Sequence, residues 1–376
     1  LGFIARKVGL PAVIGYLMVG LVGFQLLPED SRPDEAFVRL LADVGVVLLL
    51  FEVGIELDVG RLRREHRSLL MASPMQIITS TLVAGVALTF LGQPLEVALV
   101  LGLCVAMSSS VVVVNITRSV TRRTNKVTEM SLLGWSLLQD LTGVIVGAIV
   151  LALWNAEERD PLEAMVGLGL FFLLAIMAAR LFPVVLGRLR HYPDLFLLVA
   201  IAGGLIGAGI GAVVFGIPLA LAAFVAGLVI ADSPMAGEAR RRLLPFRDVF
   251  AVLFFVSVGS LLQPEALFGG VEWVFIFIAL MLVFKTFVIY LYSRIGRLER
   301  PSQIATGLSQ LGEFSFVLVS LVFVAGDVSP ELYAGLLATI TVTIGASAVA
   351  VRLPVTGWVR GSEEHHDHAA SPAGAS

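Results

Sequence analysis

The stretch Glu129 to Asn155, EMSLLGWSLLQDLTGVIVGAIVLALWN, decides how this chain is read. It is long enough to cross a bilayer as a helix. Charges flank it, and its interior carries one ionisable residue, Asp140, near the middle. A carboxylate at that depth costs about 2.5–3.5 kcal/mol on insertion scales. It must be compensated or used. Gln139 stands directly before it and offers an amide oxygen and two N–H donors. One reading is an acid paired inside the protein for structure. The other is a station on an ion or proton path, the usual role of an intramembrane acid.

The surrounding chain makes the membrane reading general. Of 376 residues, 57% are hydrophobic and only 15% charged, which excludes an ordinary soluble domain. Apolar stretches separated by short charged loops give twelve expected spans, near 10–27, 37–57, 68–91, 95–117, 130–155, 162–187, 194–213, 217–232, 248–263, 271–293, 302–325 and 331–357. The loops alternate in sign. Glu29, Asp30, Asp34 and Glu35 surround Arg32 in one, and Arg61, Arg63, Arg64 and Arg67 fill the next. Later basic loops hold Arg118, Arg122, Arg123 and Lys126, then Arg188 and Arg190, Arg240 to Arg242, and Arg294, Arg297 and Arg300. With twelve spans all of these fall on one side, the cytoplasmic side, together with Arg6, Lys7 and the C-terminus. The opening at Leu1, without a signal-peptide pattern, fits a further helix upstream. Residues 359–376 read as a disordered cytoplasmic tail; His365, His366 and His368 beside Asp367 form at most a weak metal site there. A net charge of −3 gives no basic field for nucleic acid. Cys104 is the only cysteine, so no disulfide forms within the chain.

Two spans have unusual centres. The fourth reads Met107-Ser108-Ser109-Ser110, four valines, then Asn115, a poor helix centre. Either the serines bond back to their own helix, or the backbone unwinds where it lines a cavity. The eleventh crowds Gly307, Ser309, Gln310, Gly312, Glu313 and Ser315 into its middle. It reads as a broken helix with free carbonyls and N–H groups, or as an intact helix with a polar face inside the bundle. Each of these spans is the middle of a three-span group, 68–155 and 271–357. Interrupted helices in corresponding positions are the strongest sequence pointer to a transporter site at the midplane. Lys285, deep in the tenth span, either pairs with Asp140 or snorkels to the cytoplasmic surface. Glu52 lies one turn deeper than the interfacial Glu56, and no role follows for it.

Gly9-Leu10-Pro11-Ala12-Val13-Ile14-Gly15-Tyr16-Leu17 and Leu49-Leu50-Phe51-Glu52-Val53-Gly54-Ile55-Glu56-Leu57 resemble the opening of monovalent cation/proton antiporters of the second cation-proton-antiporter group. Ser108-Ser109-Ser110, Gln139-Asp140, Phe254-Phe255-Val256-Ser257-Val258-Gly259 and Ser309-Gln310-Leu311-Gly312-Glu313-Phe314 are similar to its glutathione-gated, Kef-type potassium branch. The resemblance covers essentially the whole chain. It implies an all-α polytopic bundle with inverted repeats and two discontinuous crossing helices. It implies an antiporter domain over 1–358: an ion-binding core of 68–155 and 271–357, a dimerisation scaffold of 10–57 and 194–263, a linker helix at 162–187, and a homodimer in a bacterial inner membrane. No Gly-rich nucleotide fingerprint follows the last span, which puts nucleotide or glutathione gating in doubt and leaves room for a separate regulatory subunit. Gln139-Asp140 stands where many sodium/proton relatives have Asp-Asp or Asn-Asp, which favours K⁺ over Na⁺.

The expected activity is exchange of K⁺ or Na⁺ for H⁺. Asp140 binds cation or proton in turn, Gln139 is beside it, and Ser108, Ser109, Ser110, Asn115, Lys285, Gln310 and Glu313 support the site. No cofactor is called for. A channel is the rival reading, but a lone carboxylate between broken helices suits alternating access better. No His-Glu-x-x-His or Ser/Lys nucleophile arrangement supports an enzyme.

Overall fold

A computed structural model describes residues 1–7, 12–28, 34–56, 67–117, 125–154, 161–217, 219–231, 233–260, 264–312 and 314–352, with no strand among them. In chain order the helices are α1 (Gly2–Lys7), α2 (Ala12–Leu26), α3 (Glu35–Glu56), α4 (Arg67–Phe90), α5 (Leu95–Ala106), α6 (Ser110–Thr117), α7 (Lys126–Trp154) and α8 (Pro161–Arg188). They continue as α9 (Pro193–Val213), α10 (Leu219–Ala231), α11 (Ala236–Ser260), α12 (Pro264–Gly269), α13 (Val271–Ile295), α14 (Pro301–Gly307), α15 (Phe314–Ala325) and α16 (Pro330–Arg352). The expected spans map onto α2, α3, α4, the α5–α6 pair, α7 to α11, α13, the α14–α15 pair and α16.

Among the described residues, five helices are long and apolar enough to cross a bilayer by length and composition: α4, α7, α8, α9 and α13. α8 makes the solvent clear. Its apolar window is only 6% buried in the protein, and Leu173, Met177 and Leu181 point outward. An apolar helix that the rest of the protein leaves largely uncovered calls for lipid or another apolar surface around it. α11 starts twelve residues earlier than its expected span, at Ala236 against 248. The added turns are polar. Arg242 donates to Arg190 O and Pro193 O, both at 3.3 Å, and covers the Phe196 ring. Arg241 and Arg242 both donate to Glu238; Arg241 foremost holds that carboxyl below the usual carboxylate range.

Two sets of helices pack chiefly among themselves. α3 lies between α10 and α11, with α2 on α11 and both α8 and α9 on α10. α4 packs on α5 and α7, α5 on α15, α6 on α7 and α16, and α13 on α16, α14 and α4. The α3–α10 approach needs glycine on both sides. A Cβ at Gly54 would strike Phe224 O, and one at Gly227 would strike Phe51 O. Small residues of this kind let membrane helices touch backbone to backbone.

Candidate functional site

Both odd-centred spans are broken. α5 stops at Ala106, and Met107 turns extended, with φ −83° and ψ 147°. Helix resumes only at Ser110. Ser109 takes the place of an N-cap: Val112 N donates to its Oγ at 3.4 Å and Val113 N to its carbonyl at 3.1 Å. The second break runs from Leu308 to Gly312, between α14 and α15. Neither the back-bonded serines nor the intact polar-faced helix is what forms.

The breaks cross one another, and the polar residues that caused them tie the crossing. Ser108 Oγ donates to Leu308 O at 2.6 Å, and Gln310 Nε2 to Ser109 O at 3.5 Å. Ser315 Oγ donates to Cys104 O at 2.8 Å, while Cys104 Sγ points back to Ser315 O at 3.7 Å. Leu311 N donates to Thr343 Oγ1 of α16 at 3.3 Å. A Cβ at Gly312 would lie 2.9 Å from Ser108 O, so only glycine lets the two backbones meet there.

Lys285 sits on α13, in a turn widened to π geometry over Met281–Thr286. Such turns occur mostly singly inside helices and often at functional sites. The side chain is fully buried. Nζ donates to Met107 O and Gln310 O, each at 2.6 Å, one carbonyl from each break. The C-terminal ends of α5 and α14 both carry partial negative charge. One ammonium between them offsets both. Snorkelling is therefore excluded, and the two partners described for Nζ are backbone carbonyls.

α7 lays one face along the crossing. Gly143 packs on the Met107 side chain and Gly147 on Leu103, so Asp140, one turn earlier, is carried beside the first break. Asp140 is buried, and Gln139 fully so. Gln139 Nε2 donates to Gln76 Oε1 of α4 at 2.5 Å. Among the buried side-chain oxygens of the described residues without a hydrogen-bond partner are Gln139 Oε1, Ser136 Oγ and Gln310 Oε1, with the Thr81, Thr128 and Ser293 hydroxyls elsewhere. Ser136 is one turn before Asp140 on the same face. Buried polar atoms are rarely left so, and those of Ser136 and Gln139, on the same helix as the acid, are open to a water or an ion as partner. One carboxylate with neutral oxygens is a hard donor set. No group of three or more His, Cys, Asp or Glu that could hold a metal ion occurs among the described residues.

Of the other expected site residues, Ser110 opens α6 half-buried. Asn115 is in α6 with its side chain outside the described residues, and Glu313 lies outside them altogether. A stripe on α4 went unread. Ser73 Oγ donates to Trp135 O at 3.1 Å, Ser80 Oγ to Phe284 O at 2.9 Å, and Gln76 bonds both α5 and α7. Its signal was available: Ser73, Gln76 and Ser80 recur at helical spacing on one face of an apolar span.

Two broken helices meeting at their breaks beside a buried acid, in a bundle of apolar helices, define an integral membrane protein of the broken-helix type. The chain belongs to the sodium/hydrogen exchanger family: residues 1–355 match the model described as "Sodium/hydrogen exchanger, transmembrane". It is 30% identical over 337 residues to the Escherichia coli (strain K12) protein named "Putative cation/proton antiporter YbaL", a match over 85% of this chain and 60% of that relative. The chain thus spans well under two thirds of that protein's length. Its fold is similar to that of the sodium proton antiporter MjNhaP1 from Methanocaldococcus jannaschii at pH 8, with a TM-score of 0.69 at 15% identity, covering 93% of this chain and 92% of that one.

Proposed function

We propose that the chain is a secondary antiporter exchanging a monovalent cation for H⁺ by alternating access. The observation that carries this reading is the crossing itself: two broken helices, clamped by Lys285, beside the buried Asp140 and the unpartnered oxygens of Gln139 and Gln310. Ionised Asp140 binds the cation, and neutral oxygens replace part of its hydration shell. Protonated Asp140 has no charge to hold it. One site that takes either ligand, never both, couples their fluxes. The Gln139-Asp140 pair and the Kef-type motifs favour K⁺, with Na⁺ the other candidate. The same motifs support a homodimer in a bacterial inner membrane, and the alternation of loop charge supports a cytoplasmic C-terminus.

The packing supports alternating access. The set α4–α7 with α13–α16 is the ion-carrying core of the proposal, and α2, α3 and α9–α11 the scaffold. Between them is a cavity lined by Leu50, Leu221 and Phe224 from one side and Met107, Phe314 and Leu318 from the other. An apolar contact can slide without breaking hydrogen bonds.

The test is Asp140→Asn in proteoliposomes. The amide is nearly isosteric but neither releases a proton nor offers a full charge. Cation-driven proton flux at zero membrane potential is expected to vanish with the protein still folded. In the native protein, lowering pH is expected to raise the apparent cation KM more than it lowers the maximal rate. Retained exchange in Asp140→Asn removes this role from Asp140. A single-channel conductance without obligatory proton flux would establish a pore instead.

A further inference from the structure

Gln76 is fully buried on α4, and each of its hydrogen-bonding positions is occupied. Nε2 donates to Ser80 Oγ at 3.2 Å and to Ala106 O at 3.1 Å. Oε1 accepts from Trp135 Nε1 at 3.3 Å and from Gln139 Nε2 at 2.5 Å. An amide has two donor hydrogens and an oxygen with two lone pairs, so nothing is left over.

Two of those partners have fixed polarity. The Trp135 indole only donates, and the Ala106 carbonyl only accepts. They settle which way round the Gln76 amide sits. Turned over, it would set NH₂ against N–H and oxygen against oxygen at two buried contacts. Gln76 must therefore offer its oxygen to Gln139. Gln139 must answer with its NH₂, and its own oxygen is forced to the opposite side. That oxygen is the buried, unpartnered Oε1. An amide orientation that is ordinarily ambiguous is here determined through a chain of three residues, Trp135 to Gln76 to Gln139.

We infer that Gln76, keyed by Trp135, is a positioning residue that compels Gln139 to present oxygen rather than N–H to the transported cation. Left unkeyed, the Gln139 amide can rotate and turn its positive N–H edge toward the cation, which repels it. The same Gln76 amide holds Ala106 O, the last carbonyl of α5 before the break. Ligand orientation and the broken helix are therefore fixed by one side chain. The inference rests on the proposed exchange and on Gln139 as a ligand.

The test is a double-mutant cycle in proteoliposomes, reading apparent cation KM and maximal rate separately, with monovalent-cation pulses against trapped pH dye. Partners that orient a ligand from behind typically change metal affinity about 10–100-fold. Gln76→Leu is expected to raise the cation KM about 10-fold while most of the maximal rate remains. Gln139→Leu is expected to do the same, and the double variant to match Gln139→Leu alone, because Gln76 acts through Gln139. Trp135→Phe keeps the ring and loses the N–H. It is expected to move KM in the same direction by a smaller factor, and it carries the test if Gln76→Leu does not fold. Multiplying effects in the double variant overturn the inference, since Gln76 would then only brace the broken helix. So does an unchanged KM in Gln76→Leu or, where that variant does not fold, in Trp135→Phe, with Gln139→Leu impaired; the exchange reading then still stands. An unchanged KM in Gln139→Leu removes the ligand and the inference together, whereas exchange surviving in Asp140→Asn strikes the mechanism alone.

Discussion

At the scale of the residue, Lys285 shows how a buried amine is held by backbone carbonyls. Its ammonium is shared between Met107 O and Gln310 O, which no other donor described in the structure reaches. Lys285→Met keeps the length and apolar stem but leaves two buried acceptors without donors. Each such loss costs about 1–3 kcal/mol. The melting temperature in detergent is expected to fall clearly, and Lys285→Arg to recover part of it. The pairing reading makes a different forecast. If Lys285 chiefly balanced Asp140, removing both charges in Lys285→Met with Asp140→Asn would restore stability. With the carbonyls as its partners, the double variant is expected to stay as unstable as Lys285→Met. Equal melting temperatures of the double variant and the native protein would return Lys285 to Asp140. Sequence made Asp140 and Lys285 conspicuous because an ionisable group in an apolar span is costly. It could not show what Lys285 touches, because backbone carbonyls have no residue signature. Gln76 escaped notice for a related reason: a neutral amide barely disturbs an apolar span, and its importance lies in four partners from three segments.

At the scale of the element, the breaks were legible and their tightness was not. Serine runs, β-branched residues and glycines are poor helix centres, so the positions near 107–110 and 307–313 could be read as interruptions. The π turn at Met281–Thr286 could not, since Lys285 marks the turn as unusual in charge but nothing in MLVFKT signals a widened backbone. Nor could the early start of α11, whose first turns are held by Arg242 bonds to the end of α8 and the start of α9. Close approach at the crossing depends on Gly312. Gly312→Ala forces its Cβ against Ser108 O, which cannot yield without moving the first break. Overpacking of this kind costs about 1–3 kcal/mol. Exchange is expected to drop steeply with a lowered melting temperature. Gly169→Ala on α8 is the contrast, since a Cβ there meets nothing within 4 Å and a helical alanine is better by up to about 1 kcal/mol. Equal activity in the two variants would show that the crossing has slack.

At the scale of the whole molecule, four of the basic segments meet in two pairs. Asn125 Nδ2 donates to Glu299 Oε2 at 2.6 Å, joining the segment before α7 to the one before α14. Arg242 joins the end of α8 to the start of α11. Each contact brings two basic segments far apart in sequence to one end of the bundle, as a single cytoplasmic face would require. The opposite ends of α4 and α15 close with turns at Gly92 and Gly326, both at positive φ. A labelling experiment follows, and the chain is well suited to it. Its one cysteine, Cys104, is buried and tied to Ser315, so it is expected to stay silent toward an impermeant maleimide. Single cysteines introduced as Lys126→Cys, Arg241→Cys and Glu299→Cys sit at exposed positions on the basic segments. All three are expected to react only from the cytoplasmic side. Asp327→Cys, exposed in the turn after α15, is expected to react only from the other. Helix count fixes this pattern, because α15 leads away from the basic end and α16 leads back. A basic-segment cysteine reacting from the same side as Asp327→Cys would break the twelve-span arrangement, and with it the placement of Asp140 midway between two aqueous faces.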